Sequence, residues 1–271
     1  MATKNLITLT DPSSAAAEAF RSLRTNLMFM SVERPVSTVL VTSVIDGEDK
    51  SLVAANLGIT FAQAGNSTII VDADLRRPTQ HELWGVNNER GLTTMLTQEG
   101  SIANPPLHNT EIPNLMILTS GPKPPVPADL LSHQRLSDVI GVLKARAHYI
   151  VFDSPPALAA TDAALLGVKL DGTLLVVRAG STRRDQTQRA HQALDRFERK
   201  DGRHAVSYQL CNSGNMVGMR MCNQYRQQRL VQLVQARPKR LALTVGECGI
   251  DRDDTRLAFD KIGIGEDAGF A

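Results

Sequence analysis

Nothing in these 271 residues approaches the run of about twenty apolar residues needed to cross a bilayer. The opening M-A-T-K-N-L also lacks the apolar core of a secretory leader, so a cytoplasmic protein is expected. Cysteine is scarce. Cys211, Cys222 and Cys248 have no metal-ligand spacing, which leaves reduced thiols as the expectation and excludes a disulfide framework as the organising device. The six histidines form no H-x-x-x-H or paired pattern, so no structural metal is expected. Charge of one sign is lacking too, since a net charge of +2 points to no particular partner. Internal repeats and low-complexity segments are absent. With 42% hydrophobic and 21% charged residues, the chain has an ordinary globular composition and the length for one large α/β domain.

The most informative segment that is present runs from Thr42 to Leu52, T-S-V-I-D-G-E-D-K-S-L. Ser37–Ser43 before it is apolar and strand-like, and Leu52–Ala64 after it is helical with Gly65 as a C-cap. Strand, small-residue loop, Lys-Ser and helix form the arrangement in which backbone N–H groups cradle phosphates. The pattern asks for G-x-x-x-x-G-K-[ST], and Asp49 stands where the second glycine belongs. Aspartate restricts the backbone there. It also sets a negative charge beside a polyphosphate, at a cost of about 1–4 kcal/mol for effective dielectrics of 80 to 20. Asp46 adds to the repulsion.

Two more apolar runs end in carboxylates. S-T-I-I-V-D-A-D-L (67–75) carries Asp72 and Asp74 and leads into Arg76, Arg77 and Pro78; H-Y-I-V-F-D (148–153) ends in Asp153 before Ser154, Pro155 and Pro156. Such continuous runs suit strands buried on both faces of a parallel sheet. Their C-terminal ends lie where open α/β sheets bind ligands. Arg76 and Arg77 are read two ways, as phosphate contacts or as surface arginines pairing with acids.

On these residues the chain resembles the bacterial tyrosine kinases of capsule and exopolysaccharide synthesis. These are P-loop proteins related to septum-site and chromosome-partitioning ATPases. The family loop T-S-x-x-P-G-E-G-K-S is matched except at Asp46 and Asp49; I-I-V-D-A-D-L-R-R-P is matched at 69–78, and D-[ST]-P-P at 153–156. Glu18, Arg21 and Arg24 resemble the family's E-x-x-R-x-x-R oligomerisation helix. G-P-K-P-P-V-P-A-D-L-L (121–131) resembles a further signature, with Val126 where asparagine is usual. The resemblance covers residues 8–197. It implies a mostly parallel sheet flanked by helices, with Mg-ATP held by Asp46, Gly47, Glu48, Asp49, Lys50, Ser51 and Leu52.

In that reading Lys50 neutralises the β/γ-phosphates and Mg²⁺ lies at Ser51, Asp72 and Asp153. Asp72 is the base toward an acceptor hydroxyl, and Asp74 is a second carboxylate on the Mg²⁺ side. The implied activity is transfer of phosphate from ATP to protein tyrosine in the control of exopolysaccharide export. A homo-oligomer is implied, held at the inner face of the cell membrane by a membrane-anchored co-polymerase or adaptor. Two alternatives stand beside it. One is an inactive pseudokinase regulating that partner, favoured by Asp49 and by the lack of the family's tyrosine cluster. The other is a partitioning-type ATPase, whose loop usually carries an extra lysine that residues 42–47 do not have.

Strand and helix signals alternate from residue 15 to residue 197, which argues for βαβ units. Expected helices include 15–31 (capped by Asp11 or Ser13), 129–147, 161–168 and 183–198. Expected strands include 115–118 and 173–178. The kinase-like domain is bounded at 1–199, with 200–271 a divergent tail. From Arg199 to Arg240 the tail holds nine basic residues and one acid, read as a solvated face or a partly disordered tail, with no nucleic acid expected. A strand is expected at 206–210 and a helix at 226–236. Codons for Lys200–Val206 read one nucleotide out of phase can spell R-M-V-G-M-L, the apolar strand due there. The tail is therefore expected to be out of its ancestral frame, leaving that strand missing or irregular.

Overall fold

The computed structural model describes residues 6–29, 36–98, 100–178 and 181–195, and the backbone of strand segments 207–213, 216–222, 230–235 and 241–246. The chain begins with α1 (Ile7–Thr10) and α2 (Ala15–Phe29), followed by β1 (Thr38–Ser43), α3 (Lys50–Gln63), β2 (Thr68–Asp72), α4 (Gln80–Trp84) and α5 (Leu92–Thr97). Next come β3 (Leu107–Asn109), β4 (Leu115–Leu118), α6 (Pro127–Ser132), α7 (Arg135–Lys144), β5 (Tyr149–Asp153), α8 (Asp162–Gly167), β6 (Gly172–Val177) and α9 (Arg184–Asp195). Strands β7 (Ser207–Ser213), β8 (Met216–Cys222), β9 (Leu230–Gln235) and β10 (Leu241–Gly246) complete the described elements.

Eight strands form one sheet in the order β3-β4-β2-β5-β1-β6-β7-β8, parallel from β4 through β7 and antiparallel at both edges. All residues of β1, β2 and β6 are buried, as strands covered on both faces require. One apolar cluster joins α1, α2 and α3 to one face, and another joins α5 to α9 to the opposite face. Gly58 lets α3 lie close on the sheet, since a Cβ there would come within 2.6 Å of the Ile70 side chain. This fixes where α3, and the loop feeding it, begins.

Several boundaries differ from expectation. Ser14 caps α2, its Oγ accepting from Ala17 N at 3.2 Å, while Asp11 and Ser13 shape the turn before it. The helix expected over 129–147 is two helices broken at extended His133. The break resolves a phase slip. The buried stripe runs through Leu131, but the next helical positions are the polar Gln134 and Arg135, and it resumes at Leu136. The end of the expected 183–198 helix lies outside the described residues.

The last strand is not missing. β7 pairs in parallel with β6 from Thr173↔Ser207 to Val177↔Cys211. The helix expected over 226–236 is not found either; 230–235 is a strand paired antiparallel with β10. No helix among the described residues is long and apolar enough to cross a membrane.

Candidate functional site: a phosphate-binding loop backed by three aspartates

Buried β1 delivers the loop to the C-terminal edge of the sheet, beside the end of β5, where Val41 pairs with Asp153. Gly47 turns the loop at φ +84°, and α3 starts at Lys50. Asp49 sits in the left-handed region at φ 57°, ψ 27°, which the motif's glycine reaches freely and which Asp and Asn tolerate better than other residues. The aspartate therefore keeps the backbone path that was expected to suffer. Its side chain makes no cap to α3. The first N–H groups of that helix thus keep their unpaired, partly positive character toward the loop.

The charge of Asp49 is answered as well, by an ion pair with the Arg178 guanidinium. Asp46 pairs with Arg77 at 3.2 Å. Glu48, 3% exposed, holds the loop from inside. Its Oε2 accepts from Val44 N at 2.7 Å and Ile45 N at 3.1 Å, and its Oε1 accepts from the Thr182 hydroxyl and Arg178 N. A buried carboxylate is tolerable only when hydrogen-bonded in this way. The segment after β6 is thereby tied to the loop.

Lys50 Nζ lies 2.8 Å from Asp74 Oδ2, 3.2 Å from Asp153 Oδ1 and 3.3 Å from Ser51 Oγ. Burial pulls its ammonium down, but Asp153 and Asp74 more than offset this and hold it above the usual lysine range. Asp72 is fully buried and adjoins Asp153 across the β2–β5 register. It accepts from Thr79 N (3.0 Å), Gln80 N (2.9 Å) and Asp74 N (3.2 Å). Burial, then the Asp153 charge, push it well above the usual carboxylate range, against lowering by the Gln80 N–H and Lys50.

The structure thus brings Lys50, Ser51, Asp72, Asp74 and Asp153 together. Among the described residues no group of three or more His, Cys, Asp or Glu is arranged to hold a metal unaided. Ser51 Oγ and the Asp153 carboxylate suit Mg²⁺ nonetheless, an ion bound through few protein oxygens plus phosphate and water.

Arg76 does not face the loop. Its Nε and Nη2 each reach the buried Asp162 carboxylate at 2.9 Å. Both Arg76 and Arg77 therefore pair with acids. The Glu18–Arg21–Arg24 row also divides. Arg21 pairs with exposed Glu18 at 2.7 Å, while Arg24 Nη1 donates to Thr60 O at 3.1 Å on α3, with its buried Nε unpartnered.

Sequence reasoning missed Thr79, whose hydroxyl donates to Ser51 Oγ at 2.9 Å, and Gln80, Asp162, Arg178 and Thr182. No local motif marks them. Their roles come from contacts between distant segments.

A P-loop α/β protein is defined by this sheet, loop and aspartate set. No family model matches the chain. It is 41% identical over 191 residues to the tyrosine-protein kinase YwqD of Bacillus subtilis, covering 70% of this chain and 80% of that protein. It is 32% identical over 179 residues to the putative tyrosine-protein kinase CapB of Staphylococcus aureus, covering 66% and 78%. Among solved structures, the kinase domain of the Escherichia coli tyrosine kinase ETK superposes with a TM-score of 0.69 at 28% identity, covering 77% of this chain and 79% of that one. A ParA-family ATPase from Chlorobium tepidum, at TM-score 0.51 and 19% identity, shares the fold. The chain belongs to the bacterial tyrosine-protein kinase family.

Proposed function

We propose that this chain binds Mg-ATP at residues 46–52 and transfers the terminal phosphoryl group to protein tyrosine, in the control of exopolysaccharide synthesis or export. The observation that carries the reading is Lys50, held between Asp74 and Asp153 at the start of an uncapped α3. The N–H groups of the loop and helix take the phosphate oxygens, and Lys50 exchanges its aspartates for β/γ-phosphate charge. Ser51 and Asp153 would hold Mg²⁺, with Asp72 and Asp74 behind them. The ion supplies charge neutralisation when bound. Asp72 is the candidate base toward an acceptor hydroxyl, a role that needs its hydrogen bonds to Thr79 and Gln80 to open.

The acceptor lies on another protein or another copy of the chain. Within the described side chains Tyr149 stacks on Phe61 with ring centroids 4.1 Å apart, which favours a packing role for it. Self-association through the Glu18–Arg21 face and attachment to a membrane-anchored polysaccharide co-polymerase at the inner membrane face complete the proposal. The test is transfer of labelled γ-phosphate to tyrosine of this chain or of a poly(Glu,Tyr) polymer. Mg-ATP binding with no transfer to either supports the pseudokinase reading instead.

A further inference from the structure

Gln80 grips both carboxylates at the back of the loop. Its backbone N–H donates to Asp72 Oδ2 at 2.9 Å, and its side-chain Nε2 donates to Asp153 Oδ2 at 2.8 Å. The same Nε2 donates to Ser51 O at 3.0 Å. Its Oε1 accepts from Trp84 Nε1 at 3.0 Å. The amide therefore has one self-consistent orientation, since an indole N–H can only donate and the other two partners here only accept. The residue is completely buried, in a place where an unsatisfied amide is costly.

The consequence concerns Asp153, whose Oδ1 takes Lys50 and whose Oδ2 takes Gln80. When Lys50 turns to a polyphosphate, Oδ1 is released while Oδ2 stays fixed by an amide that is itself locked by Trp84. The geometry points to Gln80 as a positioning residue that aims Asp153 and Ser51 at the Mg²⁺ of the bound nucleotide. This rests on the Mg-ATP reading above. Partners that orient ligating carboxylates typically change metal affinity by about 10- to 100-fold.

The experiment is calorimetric titration of the full chain with ATP in EDTA and with ATP in excess Mg²⁺, for wild type, Gln80→Met and Trp84→Phe. Each unliganded melting midpoint serves as the folding control. Gln80→Met keeps the backbone N–H and the volume while deleting the amide. The expected result is that both variants bind metal-free ATP as wild type does, while Gln80→Met loses about tenfold or more of the Mg²⁺-dependent gain and Trp84→Phe loses less. If Gln80→Met keeps the full Mg²⁺-dependent gain, or weakens ATP equally with and without Mg²⁺, the positioning role is wrong. If Gln80→Met does not fold, an undiminished Mg²⁺-dependent gain in Trp84→Phe overturns the role and a reduced gain supports it. Absence of ATP binding by wild type overturns the function reading itself, and this inference with it.

Discussion

The Arg178 guanidinium at the end of β6 is ion-paired with the Asp49 carboxylate, across 129 residues of sequence. The acid that occupies the loop's glycine position therefore does not face an incoming polyphosphate uncompensated. Both side chains are about two-fifths exposed, so the pair itself adds little stability. Its effect is on the potential of the loop. Arg178→Ala should weaken Mg-ATP binding about tenfold when Asp49 is present, in line with about 1.4 kcal/mol of restored repulsion. It should have little effect in an Asp49→Gly background. Asp49→Gly alone should strengthen binding by less than tenfold, since the charge it removes is already paired with Arg178. Calorimetry on the four proteins of the cycle decides this, and equal losses from Arg178→Ala in both backgrounds would refute compensation.

The two arginines of the R-R-P stretch should behave oppositely. Arg76→Ala leaves the fully buried Asp162 carboxylate without its half-exposed bidentate partner and should cost about 1–3 kcal/mol. Arg77 and Asp46 are exposed, and Arg77→Ala should change stability by less than about 1 kcal/mol. Urea midpoints of the two variants at neutral pH measure the contrast.

Asp171 provides a pH-dependent clasp at the far end of the sheet. It accepts from the N–H and hydroxyl groups of both Ser37 and Thr38 and pairs with Lys144 at 2.9 Å. Burial pushes its carboxyl up, but the Lys144 ammonium and the two hydroxyls outweigh this and hold it below the usual range. A depressed folded pKa stabilises above the unfolded value of about 3.9, and the contribution is lost as pH falls through the lower folded value. Asp171→Asn should therefore cost about 1–3 kcal/mol at pH 7. Its stability should approach that of wild type as pH falls from about 3.9 through the lower folded value. A constant difference across that range would show that charge is not the cause.

In α2, Arg24 ties the helix to α3 through Thr60 O, while Arg21 donates to Pro12 O and pairs with exposed Glu18. Arg24→Ala should lower the melting midpoint, because it removes the bond to Thr60 O. Glu18→Ala with Arg21→Ala should leave the midpoint near wild type while reducing self-association in sizing experiments with Mg-ATP. Unchanged mass in that double variant would remove the helix face from the proposed interface.

Sequence alone carried the elements that set the loop, because β1, β2 and β5 are largely apolar runs and the acids ending β2 and β5 mark one sheet edge. Contacts made at a distance were not legible. The Gln80–Asp153 and Asp162–Arg76 contacts span 73 and 86 residues, and no local spacing announces them. The pairing of Asp49 with Arg178 was not legible for the same reason, since Arg178 follows a distant strand. The single expected helix at 129–147 failed on a phase slip at Leu131–Leu136 that local spacing did record. At 230–235 the short apolar run L-V-Q-L-V-Q suits helix or strand, and pairing with Leu241–Gly246 decides it.

The central claim is that the Asp49-containing loop binds Mg-ATP through Lys50, and thermal unfolding against Mg-ATP tests it most directly. A ligand specific to the native state adds about 2.7 kcal/mol at 100 times its Kd. For a domain of this size that is a rise of about 5 °C or more. Wild type should show this rise, and Lys50→Met should show none relative to its own unliganded midpoint. No rise in wild type at millimolar Mg-ATP, or an equal rise in Lys50→Met, would contradict the account.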